Sequence, residues 1–341
     1  MRIGNNPSNH EIVKPNTALH RVIIPVYIPH ENDYFKDAFQ IFEYCVSSIL
    51  KTSTTHLKIS IISNGCSNEV NDKLLVLYKK YDIDELIVEN EGIGKINSVL
   101  KALRTAEERF ITITDADVLF INGWEENVLK VFKEFPKAGA VCPTPVFRKH
   151  FQLTSNIWFN YLFSKKLAFT KVKNPEAMTK FANSIGWPWL DEKYKDVYAT
   201  ITSKNGIVAM VGCSHFVATY KREVFTEMPV GNTEFKIRGN SEYLYTDVPV
   251  IKKGGYRLST EDNYTYHMGN VLEDWMTEKY HHLITVEKIE VENEFQLLKK
   301  SWISYKLTHQ IFTYLIAKPW LKQALFKFKG LTKEQCKHFL A

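Results

Sequence analysis

The chain has 341 residues, 45% of them hydrophobic and 24% charged, which is typical of a globular protein with a large core and excludes global disorder. Its formal net charge of +6 is concentrated near the C-terminal end, where residues 299–341 contain nine lysines and a single acidic residue, Glu334. The rest of the chain is nearly neutral, so we expect no nucleic-acid partner.

Membrane-spanning and secreted classes are also disfavoured. No run approaches the roughly 18 apolar residues that a membrane-spanning helix requires, and the first residues lack a signal-peptide pattern. The five cysteines form no CxxC pair, so we expect neither a disulfide framework nor a thiolate zinc site. We therefore expect a cytoplasmic protein with reduced thiols.

Strand and helix patterns alternate from residue 20 onwards. Apolar, β-branched runs predict strands at residues 20–28, 57–62, 86–88, 109–114 and 140–146. Apolar residues at helical spacing predict helices at residues 35–50, 68–80 and 96–106. This alternation indicates an α/β fold with a mostly parallel sheet and helices on both faces. In such a sheet, ligands bind beyond the carboxyl ends of the strands.

Asp115 and Asp117 directly follow the fourth predicted strand, at this ligand-binding edge. Two carboxylates so close together repel each other unless a cation lies beside them, and a hard divalent cation is the usual partner. A capped turn is the alternative, because Asp is common where loops begin. The position at the sheet edge favours a metal site.

Five segments of the sequence together resemble a known family. They are VIIPVYI at 22–28, ISNGCSN at 62–68, NEGIGKIN at 90–97, ITDADVLF at 113–120 and GGYRLSTEDNYTYHMGN at 254–270. In this order they resemble family 2 of the glycosyltransferases, which has the GT-A fold. The resemblance implies transfer of a sugar from a nucleotide-diphosphate sugar to a hydroxyl of a saccharide or lipid-linked saccharide, in surface polysaccharide synthesis.

The resemblance also implies roles for individual residues. The nucleotide would be bound by Pro25, Tyr27, Asn64, Lys95, Asn97 and Asp115. Mn²⁺ or Mg²⁺ would be held by Asp117 and His267, with Asp115 contacting either the ribose or a metal-bound water. A divalent ion there would stabilise the charge that develops on the departing diphosphate. Considered alone, His267 would be interpreted as a hydrogen-bonded structural histidine.

The sequence offers two candidates for the general base. An inverting transferase needs a carboxylate that takes the acceptor's proton, and Glu242 and Asp247 are the candidates. The segment SEYLYTD lacks the adjacent acidic pair of the family. Asp247 is preferred because VPVIKKGG reads as a helix that follows it, although a helix N-cap is an equally good interpretation.

The resemblance divides the chain into four parts. These are an N-terminal tail (1–19), a nucleotide-sugar-binding half (20–147), an acceptor-binding half (148–270) and a basic, aromatic-rich helical extension (271–341). The acceptor half contains many aromatic residues, including the GWPW segment at 186–189. They are interpreted either as groups that stack on the acceptor sugar or, more simply, as core.

The C-terminal extension combines lysines with large apolar side chains. Pro319 and Gly330 delimit a predicted helix in which apolar residues repeat at helical spacing. Lysines beside an apolar stripe are what a helix in a lipid headgroup layer requires, but a helix packed on the body would show the same stripe. An anionic membrane surface is therefore a candidate partner, which would make the protein peripheral on the inner face of the cell membrane.

Other classes fit the sequence less well. Phosphatases of the haloacid dehalogenase type carry DxD after the first strand, whereas at least three strands precede Asp115 here. A nicotinamide dehydrogenase is disfavoured because GIGKIN lacks the third glycine of GxGxxG. A non-catalytic sugar-binding protein with a degenerate site is the remaining alternative, and the presence of both aspartates and His267 counts against it.

Overall fold

The computed structural model describes residues 3–12, 18–187, 189–237, 239–291 and 294–340. Its strands within these ranges are β1 (His20–Val26), β2 (Leu57–Asn64), β3 (Glu85–Glu89), β4 (Phe110–Thr114), β5 (Val118–Phe120), β6 (Ala138–Cys142), β7 (Leu167–Lys171), β8 (Val197–Thr202), β9 (Val208–Val211), β10 (Val217–Lys221), β11 (Tyr256–Thr260) and β12 (Thr265–His267). The predicted fifth strand ends early, at Cys142, because Pro143 has no N–H to donate to the sheet.

Ten of these strands form one sheet in the order β3-β2-β1-β4-β10-β6-β11-β9-β8-β7. The first four in this order run parallel, as the alternation of strands and helices predicts. Beyond β4 the directions are mixed: β10 is antiparallel to both of its neighbours, whereas β11 runs parallel to β6. A separate antiparallel pair, β5 and β12, brings His267 opposite Val118. The predicted α/β fold is confirmed.

The helices of the first half are α1 (Ala38–Thr52), α2 (Asn68–Lys80), α3 (Lys95–Leu103) and α4 (Trp124–Glu134). The second half contains α5 (Ser155–Asn160), α6 (Pro175–Ser184), α7 (Glu192–Asp196), α8 (Val248–Lys252) and α9 (Asp274–His281). The C-terminal helices are α10 (Trp302–Lys306), α11 (Thr313–Ile316), α12 (Pro319–Phe328) and α13 (Lys333–Leu340). A π-helical turn, Tyr243–Asp247, leads into α8, and a second one, Leu307–Phe312, joins α10 to α11.

Burial and capping explain why these helices form where they do. The helix α1 buries Ile41, Cys45 and Ile49, which repeat every four residues, against the central sheet. The Ser67 hydroxyl caps α2 by accepting a hydrogen bond from the backbone N–H of Val70. All five cysteines are unpaired and buried. In the part of the chain that is described, no helix is both long enough and apolar enough to cross a membrane.

A buried carboxylate ties together the amino-terminal ends of the first strands. Glu125 on α4 lies 2.6 Å from Nδ1 of His20, the first residue of β1, and accepts backbone hydrogen bonds from Thr54 at 2.7 Å and Thr55 at 2.9 Å. Nε2 of His20 lies 2.7 Å from the Thr112 hydroxyl on β4. Burial alone would raise the pKa of Glu125, but His20 and Thr55 lower it to about 2. The ionised carboxylate therefore joins α4, β1 and the loop that follows α1.

The C-terminal helices pack on the body, which is one of the two arrangements considered for the extension. Phe326 of α12 is buried within a cluster of aromatic rings that includes Phe151 and Trp158. Lys329 follows α12 and is itself buried, donating from Nζ to the backbone carbonyls of Tyr161 and Ser164. One face of this extension is thus part of the core.

Candidate active site

Six of the residues singled out in the sequence line one cavity of about 490 Å³ at the carboxyl ends of the parallel strands. They are Pro25, Tyr27, Asn64, Lys95, Asp115 and Glu242. Parallel strands end at the same edge of a sheet, so residues that are distant in sequence converge there. The backbone of β1, β2 and β4 therefore supplies one wall of the cavity, and the start of the helix that contains Glu242 supplies another.

Asn64 fixes the glycine-containing loop that precedes α3. Its Oδ1 accepts hydrogen bonds from the backbone N–H groups of Ile93 at 2.7 Å and Gly94 at 3.0 Å. Gly94 has φ +95°, and a Cβ at this position would lie 2.6 Å from the Cα of Lys236. Only glycine suits both the backbone angle and the close approach. Asn64 therefore shapes the cavity in addition to lining it.

Asn97 lies behind the same loop, outside the group of residues that line the cavity. Its Nδ2 donates to the carbonyls of Ile93 at 2.8 Å and Thr233 at 2.9 Å, and its Oδ1 accepts from the N–H of Thr233 at 2.9 Å. These bonds hold the segment around Thr233 against the glycine loop. The structure thus gives Asn97 a supporting position, whereas the resemblance implied that it faces the nucleotide.

Lys95 is, with Lys236, one of two lysines among the described residues that line the cavity. Its Nζ lies 2.5 Å from Oδ1 of Asp115 and 3.0 Å from Oε1 of Glu242. Burial disfavours the charged amine, but the two carboxylates outweigh it and raise the pKa of Lys95. The amine is therefore charged at neutral pH, between two acidic groups that come from distant parts of the chain.

Asp115, Asp117 and His267 form a cluster in which one potential ligand atom from each residue lies within 4.8 Å of the others. Nε2 of His267 is 3.4 Å from Oδ2 of Asp117, and its Nδ1 lies 3.0 Å from the Ser184 hydroxyl, which orients the ring. The pairing of β12 with β5 brings His267 beside the aspartates. Carboxylate oxygens and imidazole nitrogen are a suitable donor set for Mn²⁺ and an acceptable one for Mg²⁺.

One carboxylate oxygen of Asp117 is not satisfied by the described part of the protein. Its Oδ1 is buried and has no hydrogen-bond partner among the described residues. Burial, assisted by Asp115, raises the pKa of Asp117 to about 6, although His267 opposes the shift. A buried carboxylate oxygen without a partner is costly in a folded protein, and a bound cation would satisfy it. The residues present therefore fit a divalent metal ion.

The two candidate bases lie in different surroundings. Asp247 is fully buried, with Oδ1 2.7 Å from Nη2 of Arg257 and Oδ2 3.5 Å from Nδ1 of His215. Asp247 stands at the N-cap position of α8, but its side chain makes no capping hydrogen bond there. Glu242 lines the cavity, and Lys95 and His215 lower its pKa despite partial burial. Of the two, Glu242 is therefore the carboxylate open to a ligand in the cavity.

Sequence reasoning missed Arg257 and His215. Arg257 occupies a buried position in β11, and a charged residue within an otherwise apolar strand could have indicated a buried ion pair. His215 carries no signal in its spacing, because it approaches Asp247 only through the fold. The π-helical turn between Glu242 and Asp247 accommodates an additional residue, which is the physical reason that simple helical spacing misleads there.

The aromatic residues of the acceptor half range from fully buried to exposed. Trp158 is fully buried, and Trp187 packs against Phe147 while the Arg148 guanidinium lies 4.1 Å from its ring centre. Trp189 is exposed. Pro188 of the GWPW segment lies outside the described residues, and whether this segment contacts an acceptor stays a prediction.

The chain is similar to one described protein family and to solved structures. The structure of TarS residues 1–349 from S. aureus is 12% identical to this chain, with a TM-score of 0.42. The match covers 73% of this chain and 60% of the TarS chain, so this chain spans less than two thirds of TarS 1–349. Mannosyltransferase PcManGT from Pyrobaculum calidifontis, solved with GDP-Man and Mn²⁺, has 17% identity and a TM-score of 0.43 over 95% and 79% of the two chains. No curated protein matches the sequence significantly. The model of the family described as "Glycosyl transferase family 2" matches residues 22–225, which is more than half of the chain, and the protein therefore belongs to this family of glycosyltransferases.

Proposed function

We propose that this chain is a metal-dependent glycosyltransferase that moves a sugar from a nucleotide-diphosphate sugar to a hydroxyl of a saccharide or lipid-linked saccharide. The observation that carries the proposal is the unpartnered, buried Oδ1 of Asp117 beside His267 and Asp115, next to the cavity that the predicted nucleotide-binding residues line. Family membership supports the same reaction class.

The nucleotide would occupy the cavity, with Tyr27 and Asn64 near the base and Lys95 near the phosphates. Asp117, His267 and Asp115 would hold Mn²⁺ or Mg²⁺, which when bound supplies positive charge where the departing diphosphate becomes negative. Lys95 would add a second positive charge, already held in place by Asp115 and Glu242. In this proposal the half before residue 148 binds the donor and the half up to residue 270 binds the acceptor.

For the proton of the acceptor hydroxyl we propose Glu242 as the base if the reaction inverts configuration. It lines the cavity, and its lowered pKa keeps it ionised at neutral pH. Asp247 instead has its Oδ1 engaged by Arg257 and no exposed surface, so its proposed role is to position the helix that carries Glu242. This proposal replaces the preference for Asp247 that the sequence pattern suggested.

The proposed acceptor is a saccharide or a lipid-linked saccharide. Only the resemblance to the family supports a role in surface polysaccharide synthesis, and it does so through the type of acceptor such enzymes use. A lipid-linked saccharide would have to be reached at the inner face of the cell membrane.

A binding screen tests the proposal. The melting temperature of the wild-type chain is measured with UDP, GDP, dTDP and CMP sugars, each with and without Mn²⁺, because a bound ligand stabilises the folded state. We expect stabilisation by one nucleotide class only when Mn²⁺ is present. Asp117→Asn should abolish this metal dependence, whereas Asp72→Asn, on the exposed surface of α2, should retain it. Equal stabilisation with and without metal would contradict the proposal, and so would phosphate release from a simple phosphomonoester without sugar transfer.

A further inference from the structure

The helix that runs from Trp302 to Ile316 through the π-helical turn is apolar on two opposite faces. Its inner face places Thr308, Phe312 and Ile316 in the protein interior. Its other face, here called the outer stripe, consists of Ile303, Leu307, Ile311 and Tyr314, whose exposed fractions are 73%, 39%, 56% and 66%. Large apolar side chains that are exposed together on one helix face mark a surface that commonly contacts a partner. The outer stripe is therefore a candidate interaction surface.

Positively charged groups accompany the outer stripe. Nζ of Lys306 lies 3.9 Å from the ring centre of Trp302, and Nζ of Lys318 lies 4.9 Å from that of Tyr314. Both lysines are exposed, and the only acidic residue between 299 and 341 is Glu334. Trp320 nearby is 68% exposed. Exposed tryptophan and tyrosine beside lysine is the combination found where proteins meet a lipid headgroup layer.

The helix that carries the outer stripe is a neighbour of the helix that contains Glu242. The helix α10 packs beside α8, which continues the helix that begins at Ser241. Tyr243 directly follows Glu242, which lines the cavity, and is itself 40% exposed. Ile237 also lines the cavity and has an exposed side chain. Exposed apolar groups therefore occur both beside the cavity and on the helix that carries the outer stripe.

We propose that the outer stripe, with Lys306 and Lys318, docks on an anionic lipid bilayer and so brings the cavity mouth to the membrane surface. The proposal rests on the proposed function, because it explains how an acceptor anchored in lipid would reach Glu242. Charge favours a bilayer over a second copy of this chain. Two copies meeting through the outer stripe would bring their lysines together without acidic partners, whereas anionic headgroups complement them.

Vesicle sedimentation of the full chain tests the docking. The wild-type protein should pellet with vesicles of phosphatidylglycerol and phosphatidylcholine and remain mostly soluble with phosphatidylcholine alone. Lys306→Gln and Lys318→Gln should each weaken binding roughly fivefold, since one lysine near an anionic surface contributes about that factor. The triple change Ile303→Ser, Leu307→Ser and Ile311→Ser should weaken it by on the order of tenfold for each side chain removed from lipid.

A matched control uses exposed apolar residues elsewhere. Leu75→Ser with Val76→Ser, on the surface of α2, should leave vesicle binding unchanged. Docking is refuted if the wild-type chain stays in the supernatant, or if the triple variant pellets as the wild type does. It is also refuted if light scattering shows a dimer that the triple variant dissociates while neither protein binds vesicles.

Nucleotide binding measured on the same proteins separates this inference from the proposed function. The triple variant should keep the metal-dependent stabilisation by nucleotide, because none of its substitutions lies at the cavity. A wild-type chain that binds nucleotide with Mn²⁺ but no vesicles refutes the docking alone. One that pellets with anionic vesicles but binds no nucleotide under any metal condition supports docking and refutes the proposed function.

Discussion

Replacing Glu125 by glutamine tests the buried carboxylate that joins the ends of the first strands. Glutamine has nearly the same size but no charge, and so resembles the protonated acid. The wild-type carboxylate accepts hydrogen bonds from Thr54 and Thr55 and lies against His20. In the variant one carboxylate oxygen becomes an NH₂ group, which cannot accept from backbone N–H donors. The substitution therefore removes the charge and leaves buried donors without an acceptor.

The pKa shift gives the expected magnitude. The pKa of Glu125 falls from its ordinary 4.5 to about 2 in the folded protein. Each step of one in pKa corresponds to about 1.4 kcal/mol, so ionised Glu125 stabilises the fold by about 3 kcal/mol relative to its neutral form. Because the folded pKa is lowered, this stability is fully present above pH 4.5 and is lost as the pH falls toward 2.

Urea unfolding at pH 7, followed by tryptophan fluorescence, measures the effect. Glu125→Gln should lower the free energy of unfolding by about 3 kcal/mol, and the difference from wild type should shrink as the pH falls below 4.5. The adjacent Glu126 is exposed, so Glu126→Gln is a matched control expected to change stability by no more than about 0.5 kcal/mol. A loss below about 1 kcal/mol for Glu125→Gln, or a difference that does not depend on pH, would refute this reasoning.

Three further predictions concern the cavity. Lys95→Met removes the cation between Asp115 and Glu242. Titration calorimetry should then show that the affinity for a nucleotide diphosphate falls by about tenfold or more. Unchanged affinity would argue against a contact between Lys95 and the phosphates. Gly94→Ala places a Cβ 2.6 Å from the Cα of Lys236 and should lower the free energy of unfolding, measured by heat or urea, by about 1–3 kcal/mol. Unchanged stability would mean that the loop adapts freely. Asp247→Asn should destabilise the fold by about 3–5 kcal/mol, because it leaves the buried Arg257 without its anionic partner. Glu242→Gln should keep the stability of the fold and lower kcat by about 10²–10⁴. If Asp247→Asn instead lowers kcat and Glu242→Gln lowers stability, Asp247 would be reassigned as the base.

Local periodicity is sufficient to predict the first half of the fold. Between residues 20 and 117 each strand is a short apolar run and each helix has one apolar stripe, so element type and parallel direction follow. The boundaries shift only slightly; the helix predicted at 35–50 spans Ala38–Thr52. The second half is not predictable in this way, because short strands such as β9 and β12 pair with partners far away in sequence.

The candidate site was predictable where it depends on the strand edge. Asp115 and Asp117 follow directly from the end of β4, and the family pattern added His267. The contacts of Asn97 and Asp247 were not predictable, because side-chain direction depends on tertiary partners: Thr233 for Asn97 and Arg257 for Asp247. Likewise, spacing alone could not show that one face of the C-terminal helix is buried while the other is exposed.

The buried thiols make this protein well suited to site-specific labelling. All five native cysteines are enclosed, and burial raises the pKa of Cys142 to about 11, far from the thiolate that maleimide reagents require. Burial shifts the pKa of Cys45 and Cys213 in the same direction. A single cysteine introduced on the protein surface would therefore carry a fluorophore or spin label with little background, and the native thiols would not have to be removed first.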